Sequence, residues 1–422
     1  MGLQAEIKAW MIKGVMMRKQ IPRIILILLL LLSVLSLPCH AEPRESNVYP
    51  TQNSEKDPYR AGGGEDPSMR SGGDLYTADG GADLYTLSGG DELYNSLDDD
   101  TKELLRQAGI ESAEIGADSI NESLLATASR MLNDALSAPF KTLLFLITVV
   151  IICRLCCCFE SKSIGETGEL VGSLACAGIL LPFIIDGINS LETLTNSASV
   201  LLLGCVPVYS GLLVATGNPQ TAATHGTLTL LAGNAIPALV KGFILPALNI
   251  LLAFSIVSMV STLNLDKLSS SLYRLMKWLL VLVVTVFFAL MATSTAINKS
   301  LDEATAKTAK LVVSSAIPVI GSTLGDSLSA ILGGIEIVKS GLGAFGILAA
   351  IFILLPGMIE SVLWLMVCWI GQLTAELFEA PGIYKLMATL LSVIKMLLAV
   401  IVSVGAVCVV CISIVLLAGG AK

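Results

Sequence analysis

Four cysteines crowd the end of the first long apolar block: Cys153, Cys156, Cys157 and Cys158, beside Arg154. Thiolates at that density suit zinc or redox chemistry. Three consecutive cysteines nevertheless make a poor tetrahedral cage, and cysteine is an ordinary small apolar residue in a span. The expectation is structural, with no metal and no cofactor. Beyond the N-terminal leader a single histidine remains, His225, beside Gly226 in a polar stretch. It reads as a solvated loop residue rather than a ligand. No Gly-x-x-x-x-Gly-Lys-Ser/Thr run is present to cradle a nucleotide. Neither Gly-x-Ser-x-Gly nor His-Glu-x-x-His occurs. The chain is therefore expected not to be an enzyme and to carry no catalytic residue.

What remains with chemical potential is charge placed in apolar sequence. Asp186, Lys241, Asp326, Glu360 and Lys395 lie within or at the ends of apolar blocks. A membrane-embedded charge is costly, so it marks a cavity, a partner or an interfacial position. Prolines form the second set. Pro207 lies between Gly204 and Ser210, and Pro318 between Ser314 and Gly321. Pro246 and Pro356 interrupt the two longest apolar blocks. A proline inside a helix removes one backbone hydrogen bond and bends the axis. In a membrane, neighbouring helices or water satisfy the freed carbonyl. Gly321-Ser-Thr-Leu-Gly325 gives a small-x-x-x-small face for close helix packing.

The elements that must position these residues are membrane helices. Of 422 residues, 54% are hydrophobic and 14% charged, against roughly 25% charged in soluble domains. From residue 139 onward, apolar blocks lie near 140–159, 170–188, 199–216, 228–262, 278–297, 311–338, 342–373 and 390–417. Most reach the roughly 20 residues a helix needs to cross hydrocarbon, and helix is the economical conformation where backbone groups meet no water. The fold class expected is an all-α polytopic membrane protein with about six to ten transmembrane or re-entrant helices. Blocks 228–262 and 342–373 are each either a tight helical hairpin or one proline-kinked helix.

Three regions precede or make up this plan. Residues 1–41 read as a signal peptide: Lys8, Lys13, Arg18, Lys19 and Arg23 are basic, Ile24 to Leu37 is apolar, and Cys39-His40-Ala41 suits cleavage. An uncleaved anchor is the alternative. Residues 42–97 read as a disordered acidic Gly-rich linker placed outside the cytoplasm, and 98–138 as extracytoplasmic amphipathic helices. Together, residues 42–138 carry 20 acidic and 7 basic side chains, a balance opposed to nucleic-acid binding. The linker holds a nine-residue repeat: Gly72-x-Asp74-Leu75-Tyr76, Gly81-x-Asp83-Leu84-Tyr85 and Gly90-x-Glu92-Leu93-Tyr94. It is either plain linker or a docking segment. Residues 139–422 form the polytopic domain.

A shift of 111 residues aligns Tyr273-Arg274-Leu275-Met276 with Tyr384-Lys385-Leu386-Met387, and Pro207-Val208 with Pro318-Val319. A duplication with units 170–280 and 281–391 is expected, a common plan in polytopic proteins. With Glu42 outside, Arg154, Lys162, Lys267, Arg274, Lys277 and Lys385 fall inside, in line with the positive-inside rule. Lys299, Lys307 and Lys310 fall outside, against it.

Residues 139–422 resemble the stage III sporulation protein AE family of endospore-forming bacteria, most plainly in their second half. The resemblance rests on Thr308-Ala309-Lys310, Ile317-Pro318-Val319-Ile320-Gly321, Val338-Lys339 and Gly343-Ala344-Phe345-Gly346, with Leu245-Pro246 and Leu417-Ala418-Gly419 in support. It implies a multi-pass protein of the mother-cell membrane surrounding the forespore, acting as the channel base of a transenvelope complex similar to specialised secretion systems. Implied partners are a cytoplasmic ATPase, small membrane proteins, ring-forming intermembrane proteins and the lipid bilayer. Lys339 then stands before Gly341, Gly343 and Gly346, at the mouth of an interrupted block. Candidate gating or structural positions are Pro207, Pro318, Gly321, Lys310, Lys339, Asp326, Pro246, Pro356 and Glu360. A stand-alone secondary transporter and a purely structural scaffold are the rival readings.

Overall fold

The computed structural model describes residues 90–107, 117–157, 162–260, 266–316 and 321–417, with side chains placed outside 117–126, 156–166, 303–340 and a few single positions. Every element among the described residues is helical. In chain order they are α1 (Gly90–Ser96), α2 (Asp99–Gln107), α3 (Ala117–Cys157), α4 (Lys162–Ala215), α5 (Pro219–Leu239), a π-helical turn (Val240–Ile244), α6 (Leu245–Val260), α7 (Asp266–Ala316), α8 (Gly321–Leu377) and α9 (Pro381–Leu417). Six of the described stretches are long and apolar enough to cross a membrane: Thr127–Leu155, Thr167–Ala215, Pro219–Ser258, Lys267–Asp302, Gly341–Leu377 and Pro381–Leu416. The signal peptide, the first two Asp-Leu-Tyr copies and Pro318 lie outside the described residues.

The apolar blocks join more than their spacing suggests. Blocks 170–188 and 199–216 belong to one helix, α4, which runs through Pro182 and Pro207. Block 342–373 lies within α8 and runs through Pro356 without reversing, so one helix is the form adopted there. Of block 228–262, residues 228–260 are likewise continuous from α5 through the π-turn into α6. Neither is a hairpin. A helix in lipid keeps all but one backbone bond across a proline, whereas a reversal exposes several groups at once. The first span is also continuous with the amphipathic segment before it, through Pro139.

Ordered packing starts earlier than the expected end of the linker at residue 97. The third Gly-x-Glu-Leu-Tyr copy is α1. Its Leu93 is fully buried, and its Tyr94 ring lies 6.3 Å from Phe345 on α8. Gly204 on α4 admits α1, since a Cβ there would stand 2.7 Å from Ser96 Oγ. Ser197 on α4 donates to Asp98 Oδ2 at 3.1 Å just beyond. Leu105 of α2 is buried in the same core.

Two three-residue turns reverse the chain with the same geometry. After α4, Asn218 N–H donates to Leu213 O and Gly217 N–H to Val214 O, with Gly217 at φ 81°. After α8, Ala380 N–H donates to Ala375 O and Glu379 N–H to Glu376 O, with Glu379 at φ 53°. This is the left-handed helix stop that glycine serves best. Both following helices open on proline, Pro219 and Pro381, at the position where a missing N–H costs nothing.

Carboxylates from other helices complete both starts. Asp302 on α7, 2% exposed, accepts from Gln220 N and Thr221 N at 3.1 Å each and from Thr221 Oγ1 at 2.6 Å. Glu169 on α4 accepts from Gly382 N at 2.5 Å. Each satisfies orphan N–H groups and opposes the positive end of a helix dipole.

Candidate functional site: charges and freed carbonyls between the long helices

The π-turn holds the candidate Lys241. Pro237 has no N–H to give to the carbonyl four residues back, that of Gly233. Ser199 on α4 supplies the missing donor, its hydroxyl bonded to Gly233 O. Gly233 itself lets α4 approach, since a Cβ there would meet Leu203 at 2.9 Å. One turn later the backbone widens into the π-turn, and the next helix starts with Leu245-Pro246. Wide turns of this kind interrupt helices chiefly at working positions. Lys241 Nζ there pairs with Glu192 Oε1 of α4 at 3.1 Å, both side chains being about half exposed.

Glu360 belongs to a second polar spot. It lines a small cleft between α4, α8 and α9 together with Ser190, Gly357, Ser361 and Trp364. The Trp364 indole is in hydrogen-bond reach of its carboxylate, and Asp186 is near enough to act on it electrostatically. Trp364 is held by stacking on Phe183, with ring centroids 4.3 Å apart. Pro356 lies within α8 one turn before Glu360, and Gly357 brings α4 close through Leu194. Pro207 sits on the exposed side of α4 and Pro246 on the exposed side of α6. Lys310 lies on α7 and Gly321, Asp326 and Lys339 on α8, but their side chains are outside the described set.

His225 departs from its sequence reading. It lies on α5 and is 3% exposed. Its Nε2 is 2.7 Å from Cys411 O of α9, so that nitrogen carries the proton and Nδ1 is a bare acceptor. Thr221, Ser294, Thr295 and Asn298 line a small cavity beside it. Polar neighbours in sequence suggested a loop; in fact they are what a buried polar cluster between helices requires. Cys153 is also structural: its thiol donates to Gly168 O at 3.0 Å, under Gly172.

The Gly343-Ala-Phe345-Gly346 run is a crossing point. Gly343 lies under Leu416 of α9, and Gly346 under the hydroxyl of Tyr209 on α4. Tyr209 donates to Leu342 O at 3.0 Å. Phe345 is buried and touches α1. Each glycine marks a separate close approach, Gly343 to Leu416 and Gly346 to the Tyr209 hydroxyl. Sequence reasoning missed Asp302, Glu169, Ser199 and Tyr209. The helix-opening prolines Pro219 and Pro381 were the available signal for the first two.

A family model described as stage III sporulation protein AE matches residues 100–419. A curated relative bearing that name, from Bacillus subtilis (strain 168), is 23% identical over 243 residues, which cover 56% of this chain and 60% of the relative. No solved structure matches the chain.

Proposed function

This chain belongs to the stage III sporulation protein AE family, and we propose that it is the multi-pass membrane base of a channel-like complex between mother cell and forespore, required for endospore formation. The observation that carries the reading is a bundle in which every element among the described residues is helical and six described stretches are long and apolar enough to cross a membrane, in a chain of that family. In this reading it sits in the mother-cell membrane around the forespore and is not an enzyme. The driving ATPase, small membrane proteins and an intermembrane ring are separate chains. The leader is cleaved, and residues 42–138 lie outside the cytoplasm. A duplicated plan with units 170–280 and 281–391 also belongs to this reading, supported by the sequence matches at a shift of 111 residues.

The half-exposed Lys241–Glu192 pair favours a second reading, a stand-alone secondary transporter. Purification of the tagged full chain from sporulating cells separates the two. Ring and ATPase proteins should come with it, and deletion of the gene should abolish late forespore gene expression. Recovery of the chain alone, with normal spores from the deletion, refutes the channel-base reading.

A further inference from the structure

The outer surface of the bundle has two kinds of side. On α7 only 22% of the most apolar stretch is buried within the bundle, and what it exposes is bulky: Leu275, Trp278, Leu282, Val286 and Leu290. That is a surface for lipid. The continuous helix α5–α6 exposes Ala223, Thr227, Asn234, Ala238 and Lys241. These five fall within about a sixth of a turn of one another at 100° per residue, with Leu230 and Leu231 at the edges. Gly242 within the π-turn is exposed, as are Asn249 and Ala253 past it, alongside Pro246, Ile250 and Val257. Beside it, Asp186, Asn189, Glu192 and Thr193 lie on one side of α4, and the Glu192–Lys241 pair ties the two strips together.

Placement along the membrane does not rescue this face for lipid. Pro219–Ser258 has 40 residues, about 60 Å of helix, while the hydrocarbon core is about 30 Å, or some 20 residues. Any 20-residue window of it contains Asn234, or Lys241 with Asn249. Wherever the bilayer sits, amide or charged groups on this face lie at hydrocarbon depth. Intramembrane charges of this kind face a water-filled cavity or the interior of an assembly.

We propose that the joint face of α4 and α5–α6, from Asp186 to Thr193 and from Thr227 to Asn249, is turned to water and lines an aqueous path through the membrane. The Glu192–Lys241 pair neutralises itself, and Asp186 leaves the face with one net negative charge. It suits water and small polar or cationic solutes rather than anions. The identification of the path with the conduit of the complex rests on the reading above; the hydration of the face does not.

Cysteine accessibility tests it in the full chain, in membranes from sporulating cells. The described native cysteines are buried, so the unsubstituted chain gives the background. Asn234→Cys, Asn249→Cys and Thr193→Cys are compared with Leu282→Cys and Val286→Cys on α7. A charged, membrane-impermeant methanethiosulfonate should modify the first three at least ten-fold faster than the α7 pair. A lipid-soluble maleimide should reverse the order. If the first three react only with the maleimide, the face lies in lipid and the proposal falls. If they react with neither reagent, the face is sealed against protein and the proposal falls equally. Labelling as expected from a chain that purifies without partners would keep the aqueous face and overturn the channel-base reading instead.

Discussion

Removing the Asp302 carboxylate should loosen α5 from α7 far more than the loss of an ordinary surface charge. Asp302 is 2% exposed and accepts three hydrogen bonds, two from backbone N–H groups at the start of α5. A bond to a charged group contributes about 1.5–3 kcal/mol net, and a buried donor left alone costs about 1–3 kcal/mol. The favourable dipole interaction adds up to about 2 kcal/mol in a partly buried setting. Some of this returns as water enters, so Asp302→Ala should cost about 3–5 kcal/mol. Asp302→Asn keeps one acceptor oxygen but points an amide N–H at a donor, and should cost about 1–3 kcal/mol. The assay is reversible unfolding of the purified chain in mixed micelles, read by Trp fluorescence. A loss of 3 kcal/mol is about a 150-fold change in the folding constant. Asn218 occupies the N-cap position of α5 without a side-chain cap bond, so Asn218→Asp should recover part of the loss in the Asp302→Ala background. An Asp302→Ala chain within about 0.5 kcal/mol of the parent would refute the argument.

Three further perturbations follow from named contacts. Gly346→Ala drives a methyl group into the Tyr209 hydroxyl and should cost about 1–3 kcal/mol in the same assay; Tyr209→Phe should relieve much of it, and no relief would show that the crossing is set elsewhere. Ser199→Ala should cost about 1–3 kcal/mol by stranding the Gly233 carbonyl. That cost should shrink in a Pro237→Ala background, where a helical N–H returns, and a cycle with no coupling would contradict the pairing. Glu379→Gly should hold or raise the unfolding midpoint, because Glu379 occupies the left-handed region; a clear loss would mean that its side chain has a role of its own. For orientation, a cysteine at residue 60 should react with an impermeant reagent from outside and one at residue 270 should not, with the opposite pattern reversing the bundle.

The helical nature of the membrane domain was legible because apolar runs of this length admit little else. Pro207 and Pro356 both fall inside long helices rather than at breaks between them, and Glu360 stood out by its setting in apolar sequence. The joins were not legible. Residues 189–198, Asn-Ser-Leu-Glu-Thr-Leu-Thr-Asn-Ser-Ala, look like a loop in a hydropathy profile. They stay helical because Glu192 finds Lys241, Thr195 donates to Leu191 O and Ser197 reaches Asp98. Each partner is distant or is the helix's own backbone, so composition alone hides it. His225 misled for the same reason: its acceptor, Cys411 O, is 186 positions away. Asp302 and Glu169 carry no local mark, since a cap supplied by another helix leaves no spacing to read.

The two borrowed caps also limit how this bundle can move. Asp302 pins the start of α5 and Glu169 pins the start of α9. Sliding a pinned helix along its neighbour by one turn is a step of about 5.4 Å, which would part these bonds and strand N–H groups with no replacement in reach. Leaning a helix sideways about its pinned start leaves the bonds intact. The bundle is thus stiff as a set of pistons and compliant as a set of levers. α5 would swing from the Asp302 end and α9 from the Glu169 end. Pro237 and the π-turn lie 18 or more residues from the α5 pivot, so a small tilt there moves Lys241 through a long lever arm.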